Sequence, residues 1–324
     1  MNKMTYAQIP YVGVPVSRLV HGTIMLSMQK KEASFALLDA MGSIGINAFD
    51  SAQVYGDGER VLGAWMQERG NRDQVVILTK GAHHNAWRKR VTPHDIQTDV
   101  ADSLAKLMSS RIDIYILHRD DPDVPVGPIV ETLSRLHDAG KIGAFGGSNW
   151  THARIQEAND YARRFGLVPF TTSSPNYGLA EQVENPWGPG CVTLAGPEEA
   201  EARAWYQENQ MAVFSYSSLG RGFFSGRVKS TEPEKAKEIL DAAAFRGYSH
   251  PVNFKRLERT EILAAEKGYS VPQIALSWLL HQPLNVFPLI GANTAEEMQE
   301  NIDAMQIRLT PEELRWLDLQ SETR

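Results

Sequence analysis

Four polar side chains stand at the ends of three successive apolar runs. Asp50 closes the first run and Tyr55 follows it in a glycine-rich turn, while Lys80 and His118 end the next two runs. A free tyrosine has a pKa of about 10, and a neighbouring lysine ammonium favours the phenolate, so Lys80 is expected to lower the pKa of Tyr55. An aspartate paired with the lysine would hold that cation in place, and a histidine could hydrogen-bond a substrate oxygen. This set is typical of proton donation to a carbonyl.

Eight short runs rich in β-branched and aromatic residues recur along the chain, mostly at the spacing of one strand plus one helix. They start near Leu19, Asn47, Val75, Ile112, Ile142, Phe170, Met211 and Val286. Thr-Pro pairs at 92–93 and 310–311 predict helix starts between runs. The alternation predicts an α/β fold, a single closed (β/α)8 TIM barrel over residues 1–324. A doubly wound open sheet is the competitor, but the first run lacks the glycine-rich fingerprint that such a sheet needs.

Two connections are longer than one strand and one helix require. One follows the sixth strand, between Gly178 and Gly196, and the other follows the seventh, between Gly220 and about Val252. Long loops on a barrel are usually lids or binding loops, so both are expected to border a site rather than to form separate domains.

Composition and charge limit the class of protein. Of the 324 residues, 42% are hydrophobic and 22% are charged, so a large core can be buried. The net charge of -6 gives no indication of a nucleic-acid partner, and the single cysteine, Cys191, cannot form an internal disulfide. Residues 1–16 have no apolar signal region, and no run is long enough to span a bilayer. We therefore expect a cytoplasmic protein with no membrane partner.

Further motifs follow the four polar residues in order along the chain. They are Phe49–Ala52, Leu78–Lys80, Tyr115–His118, Gly146–Asn149, Tyr216–Gly220 and Pro288–Gly291. With these motifs the chain resembles the aldo-keto reductase superfamily from about Val12 to its C-terminus. The resemblance implies a (β/α)8 barrel that reduces an aldehyde or ketone to an alcohol with a nicotinamide cofactor. Tyr55 would then give the proton, tuned by Asp50 and Lys80, and His118 would orient the carbonyl.

The resemblance also implies a cofactor site. Ser148 and Asn149 match the pair that holds the nicotinamide carboxamide, and Tyr216 matches the aromatic residue that stacks on the ring. The other positions assigned to this site are Thr23, Ser174, Ser217, Leu219, Arg221, Gly222, Arg227, Gly291, Asn293, Glu297 and Asn301. From the residues alone, Ser148 and Asn149 could equally cap a helix that begins near His152. Barrels frequently bind phosphate on the loops after strands seven and eight, which agrees with the family placement.

Two positions depart from the family's pattern. Ser174 stands where the family often has glutamine, and its shorter side chain puts that contact in question. Asn293 and Glu297 stand where NADPH-specific members commonly carry a basic residue. A carboxylate there would repel a 2′-phosphate and could accept a hydrogen bond from a free 2′-hydroxyl. Alternatively, Glu297 points to solvent and another cation, Arg221, Arg227 or Lys229, meets the phosphate. NADP(H) is favoured because it is the more common cofactor in the family, and NAD(H) is the alternative.

Substrate contacts are expected on loops, with a small carbonyl or alcohol compound of polar or sugar-like character as the ligand. His83, His84 and Trp87 follow Lys80 in a segment rich in groups that hydrogen-bond or stack. Trp150 could wall the pocket or pack in the core. Two adjacent histidines without a nearby carboxylate or cysteine make metal binding unfavourable, so no metal is expected.

Two other functions compete with the reductase. Some relatives of this fold serve as redox-sensing partners, so a cofactor-binding regulatory subunit is the alternative, although the intact set of four residues argues against lost catalysis. A barrel hydrolase with paired carboxylates is disfavoured because the expected neighbours of Asp50 are a lysine and a tyrosine.

Overall fold

A computed structural model describes residues 3–324, in which eight parallel strands form one curled sheet. An antiparallel pair, β1 (Tyr6–Ala7) and β2 (Val16–Ser17), comes first. The parallel strands are β3 (Val20–Gly22), β4 (Ala48–Asp50), β5 (Val76–Gly81), β6 (Ile112–Leu117), β7 (Ile142–Ser148), β8 (Thr172–Ser174), β9 (Ala212–Val213) and β10 (Leu289–Ile290). The strand starts lie within three residues of the predicted ones.

The sheet closes on itself. Each of β3 to β8 pairs with the next strand in sequence, and β10 pairs with β3. On the other side, the segment before β10 meets β9, where the Phe287 amide donates to the Val213 carbonyl at 2.7 Å and Val213 bridges Val286. The predicted (β/α)8 barrel is therefore confirmed as the fold class.

Twelve α-helices surround the strands within residues 3–324. They are α1 (Lys31–Ser43), α2 (Gly58–Arg69), α3 (Pro93–Lys106), α4 (Val126–Asp138), α5 (His152–Phe165), α6 (Ala200–Asn209), α7 (Ala236–Ile239), α8 (Ala242–Tyr248), α9 (Pro251–Lys267), α10 (Val271–Leu280), α11 (Ala295–Asp303) and α12 (Pro311–Leu317). Both predicted helix starts are confirmed: Thr92 caps α3, and Thr310 forms a capping box with Glu313 at the start of α12. Helices α7 and α8 lie within the long connection after β9, which also contains α9 and α10.

Alternate strand residues fill the barrel. One buried apolar cluster occupies the interior and includes Val20, Ala48, Val76, Leu78, Ile114, Ile116, Ala144, Ala212, Phe214 and Phe287. The residues between them, such as Phe49, Ile77 and Tyr115, belong to the larger core between the barrel and its helices. Because side chains of a strand alternate between two faces, each strand contributes to both cores.

The N-terminal hairpin was not predicted. Ile9, Val12 and Val16 belong to the interior cluster, so the segment that carries β1 and β2 packs against the barrel's apolar contents. Strands of two residues are too short to show the period of two in the sequence.

Packing between α2 and α3 depends on a glycine. A Cβ at Gly63 would clash with the Lys106 carbonyl and lie 2.9 Å from Leu107 Cα, whereas Gly42 in α1 has no atom within 4 Å of that position. We expect Gly63→Ala to lower the free energy of unfolding by about 1–3 kcal/mol through overpacking. The matched Gly42→Ala is expected to raise it by about 0.5–1 kcal/mol through helix propensity. Urea unfolding measures both, and equal effects in the two variants would contradict this packing.

Candidate active site

Three of the four predicted catalytic residues continue the inward-facing side of a barrel strand. Asp50, Lys80 and His118 lie at the carboxyl ends of β4, β5 and β6. The interior residues two positions before them are Ala48, Leu78 and Ile116. Since the side-chain period of a strand is two, all three side chains lie on the barrel's inner face at one end.

A turn brings Tyr55 to the same place. After β4 the chain runs beside β5, where the Gln53 amide donates to the Lys80 carbonyl at 2.9 Å. The Tyr55 amide then donates to the Ala52 carbonyl at 2.9 Å, which closes the turn. As a result, the Tyr55 ring centroid lies 5.1 Å from Lys80 Nζ and 5.7 Å from the His118 ring. The structure thus brings the four predicted residues together.

Lys80 is a buried cation with a matched partner. Its ammonium group donates to an Asp50 carboxylate oxygen and to the Ser51 carbonyl, the latter at 3.0 Å. Burial by itself lowers the pKa of Lys80, but the Asp50 carboxylate and Tyr55 outweigh it and raise the pKa above the ordinary value. The pair is therefore an ammonium and a carboxylate held against each other.

The pKa of Tyr55 differs from the expectation. Burial raises it above the ordinary value, and the Lys80 ammonium only partly opposes that rise. The sequence-based argument considered the lysine charge without the desolvation of the phenol, and desolvation is the larger effect. Tyr55 is consequently a protonated phenol at neutral pH.

His118 is a neutral imidazole. Burial and, to a smaller extent, Lys80 hold its pKa well below the usual range. Its Nδ1 is buried with no hydrogen-bond partner among the described residues. Its ring lies 4.8 Å from the ring of His83. The remaining nitrogen, Nε2, is available to meet a ligand oxygen.

A cavity of about 1050 Å³ opens at these residues. It is lined by all four catalytic candidates and by His83 and His84 from the loop after β5. Every predicted cofactor position also lines it: Thr23, Ser148, Asn149, Ser174, Tyr216, Ser217, Leu219, Arg221, Gly222, Arg227, Gly291, Asn293, Glu297 and Asn301. Residues separated by nearly 280 positions in sequence therefore share one cavity.

Hydrogen bonds at the ends of β7 and β8 organise the cavity floor. Ser148 Oγ donates to the Ser174 carbonyl at 2.7 Å, and Ser174 Oγ donates to the Phe214 carbonyl at 2.8 Å. Asn149 Nδ2 donates to the His118 carbonyl at 3.3 Å, and its Oδ1 accepts from the Tyr216 hydroxyl at 2.9 Å. The Ser174 hydroxyl is therefore engaged in a hydrogen bond to a backbone carbonyl.

Neither Ser148 nor Asn149 caps a helix. Helix α5 is capped by Thr151, whose hydroxyl accepts from the Arg154 amide at 3.2 Å. Asn149 instead has a left-handed backbone with φ of 58°. The capping alternative drawn from the sequence is therefore wrong.

The far end of the cavity has an unusual backbone and a mixed charge. Ser217, Gly220, Arg221 and Gly222 all have positive φ, between 51° and 94°. A turn with several left-handed residues presents backbone N–H groups in a concave arrangement that binds anions. This is the kind of surface that a dinucleotide pyrophosphate needs.

Basic and acidic side chains lie close together at this far end of the cavity. Glu297 accepts from the Asn293 amide at 2.7 Å, and Arg221 donates to Asp241 at 2.7 Å. The Arg227 side chain donates a hydrogen bond to Ser225 Oγ at 3.3 Å, and no carboxylate in residues 3–324 lies within ion-pair distance of it. Arg227 is therefore the uncompensated cation at this end.

Two predicted pocket residues lie elsewhere. Trp150 is fully buried between the barrel and its helices, where its Nε1 donates to the Arg119 carbonyl at 3.2 Å. Trp87 is 88% exposed and does not line the cavity. In the sequence Trp87 follows Lys80 on the same loop, and Trp150 directly follows Asn149. Only the three-dimensional path of the backbone shows that both tryptophans lie outside the pocket.

Other lining residues were missed by the sequence analysis. Ile24, Met25, Val54 and Trp187 line the cavity and are exposed, so they form an apolar rim. The Trp187 ring lies 5.6 Å from that of Tyr216. No sequence signal distinguished them, because single apolar residues on a protein surface are common.

Two structural features are absent from the described residues. No group of three or more histidine, cysteine, aspartate or glutamate side chains in residues 3–324 is arranged to hold a metal ion. Over the same residues, no helix has the length and apolar character needed to cross a bilayer.

The fold and the cavity at the carboxyl ends of its strands define a (β/α)8-barrel enzyme. The chain belongs to the aldo/keto reductase family, whose model matches residues 18–319, and is an oxidoreductase. It is 30% identical to norsolorinic acid reductase of Emericella nidulans, over 94% of this chain and 78% of that protein. It is 28% identical to the aryl-alcohol dehydrogenase (NADP(+)) of Phanerodontia chrysosporium, over 89% and 76%. A probable aryl-alcohol dehydrogenase of Saccharomyces cerevisiae is 29% identical over 90% and 89%.

Proposed function

We propose that this protein reduces an aldehyde or ketone to an alcohol with a nicotinamide cofactor, and that Tyr55 donates the proton. The observation that carries the proposal is the grouping of Tyr55, Lys80, Asp50 and His118 in the cavity that also contains the predicted cofactor positions. A reductase needs a proton donor and a carbonyl-binding group at the end of its dinucleotide site. In this cavity Tyr55 and His118 are the candidates for these two groups.

The chain's own residues perform the proton chemistry. Tyr55 is protonated at neutral pH because burial raises its pKa, so it holds the proton that an alkoxide requires. Lys80 opposes that rise and makes the phenol a better acid than burial alone would allow. His118, neutral and facing the cavity, hydrogen-bonds the carbonyl oxygen and positions it near the phenol. A bound reduced nicotinamide supplies the hydride.

Steady-state turnover tests the proposal. Purified protein is mixed with NADPH, and separately with NADH, and a panel of aromatic and aliphatic aldehydes and ketones; it is expected to oxidise at least one of the two cofactors and to form the matching alcohol in equal amounts. Cofactor oxidation without alcohol, or no oxidation with any carbonyl compound, would contradict it.

The apolar rim supports a substrate with an apolar body. Ile24, Met25, Val54 and Trp187 offer aliphatic and aromatic surface at the cavity's opening, which suits an aryl or alkyl group better than a sugar. Two of the relatives above carry aryl alcohol in their names, which agrees with this choice.

We further propose NADP(H) as the cofactor, with Arg227 meeting the 2′-phosphate. Arg227 lines the cofactor end without a carboxylate partner, whereas Glu297 is tied to Asn293. Arg227→Gln is expected to weaken NADPH binding about 10- to 100-fold, since it removes a charge-assisted hydrogen bond, and to leave NADH binding unchanged. Glu297→Gln is expected to strengthen NADPH binding by removing a negative charge.

Fluorescence titration with each cofactor measures both effects. Lys237→Gln, a surface cation outside the cofactor cavity, is the matched control and should change neither Kd. Wild-type preference for NADH, or equal losses for both cofactors in the Arg227 variant, would overturn the assignment.

A further inference from the structure

Arg119 is a buried cation next to the proposed catalytic residues. It directly follows His118, lines the cavity and is only 8% exposed. Its Nη1 donates to the Gly190 carbonyl at 3.2 Å and contacts Cys191 Sγ at 3.6 Å. Its Nε is buried and has no hydrogen-bond partner in the described chain. Since Nη1 is engaged and Nε is buried, Nη2 is the nitrogen left to meet a ligand in the cavity.

No carboxylate neutralises this guanidinium. Lys80, the neighbouring cation among the proposed catalytic residues, is paired with Asp50. Over residues 3–324, no acidic side chain lies within ion-pair distance of Arg119. A guanidinium remains protonated in proteins, so the positive charge here is uncompensated.

The next residue in the chain does not supply the missing charge. Asp120 lies 3.4 Å from Arg154 instead, at 11% side-chain exposure for both. The acids that line the cavity at its other end, Glu297 and Glu300, belong to α11 beside the cofactor positions.

The neighbours of Arg119 provide hydrogen bonds without negative charge. Burial lowers the pKa of His83 and of His84, and Arg119 lowers both further. These imidazoles are therefore neutral at pH 7, as His118 is. A buried charge is unfavourable unless it is paired, so an anionic group of a ligand would be bound favourably next to Arg119.

We propose that Arg119 binds a carboxylate on the substrate, so that the substrates are aldehydes or ketones that also carry a carboxylate. With Nη1 engaged by Gly190 and Nε buried, Nη2 is the donor left to meet a carboxylate oxygen, and the opposite charges strengthen that hydrogen bond. The carbonyl would lie at Tyr55 and His118 while the carboxylate meets Arg119. This substrate class rests on the proposed reductase function.

Matched substrates test the specificity. The ratio of kcat/KM for 4-formylbenzoate to that for its methyl ester is expected to favour the carboxylate by about 10- to 100-fold in the wild type, the effect of a charged hydrogen-bonded pair. Arg119→Met is expected to bring the ratio near one. Arg119→Lys, which keeps the charge and loses the planar fork, should lie between. Arg163→Met is the control, because Arg163 is 74% exposed on α5 and should leave the ratio unchanged.

Ligand binding tests the same contact without turnover. Protein loaded with NADP⁺ is titrated with benzoate and with its neutral isostere benzamide. Benzoate should bind more tightly to the wild type, and Arg119→Met should remove that preference. If no carbonyl compound is reduced but the benzoate preference depends on Arg119, the reductase proposal fails and the carboxylate site stands. Equal binding of both probes to the wild type, or equal losses for both substrates in Arg119→Met, would make Arg119 a structural residue and overturn the proposal.

Discussion

Tyr55→Phe is expected to lower kcat about 100- to 10,000-fold, the range for loss of a positioned general acid. The ring and its packing against Lys80 and His118 remain, and only the hydroxyl that carries the proton is removed. Since the ring is retained, the Kd for NADPH should not change. Steady-state kinetics together with cofactor titration separate the two quantities.

Tyr269→Phe is the control for this substitution. Tyr269 is 44% exposed and does not line the cavity, so its variant should match the wild type in both measurements. Full activity of Tyr55→Phe, or a loss explained entirely by weaker cofactor binding, would show that the proton comes from another group.

Lys80→Met is expected to lower both activity and stability, for different reasons. Without the ammonium the pKa of Tyr55 rises further, and a weaker acid should reduce turnover about 100-fold or more. The Asp50 carboxylate is left buried and unpaired, which should lower the free energy of unfolding by about 3–5 kcal/mol. In the reverse reaction, alcohol oxidation needs the phenolate, so the pH at which the rate is half its maximum should move upward.

The double variant Asp50→Asn with Lys80→Met separates these effects. Removing both charges should recover most of the lost stability, because no buried charge remains without a partner, and should not recover turnover. Chemical denaturation and kinetics on the single and double variants complete the comparison. If turnover returns together with stability, Lys80 acts only on the fold.

The sequence predicted the placement of residues that follow regular strands. Asp50, Lys80 and His118 were predicted correctly as strand-end residues because each of them ends a short apolar run. The positions predicted to bind a cofactor share one cavity because successive barrel loops emerge at the same end.

Three features required the three-dimensional structure. The sign of the Tyr55 pKa shift depends on the balance of burial and charge, which a sequence cannot weigh. The backbone turn at Asn149 directs Trp150 into the core, whereas Trp187, from a long loop, reaches the cavity rim. That no acidic side chain in residues 3–324 lies within ion-pair distance of Arg119 follows only from the three-dimensional positions of those side chains.

A single-turnover experiment tests the central proposal most directly. Protein in excess over NADPH is mixed with 4-formylbenzoate, and the loss of the reduced nicotinamide absorbance is followed together with the amount of alcohol formed. We predict that the bound cofactor is oxidised completely, with one alcohol formed per NADPH, and that Tyr55→Phe binds the cofactor and fails to oxidise it. Tight NADPH binding by the wild type without oxidation, for this aldehyde and for its methyl ester, would contradict the reductase and favour a cofactor-binding regulatory protein.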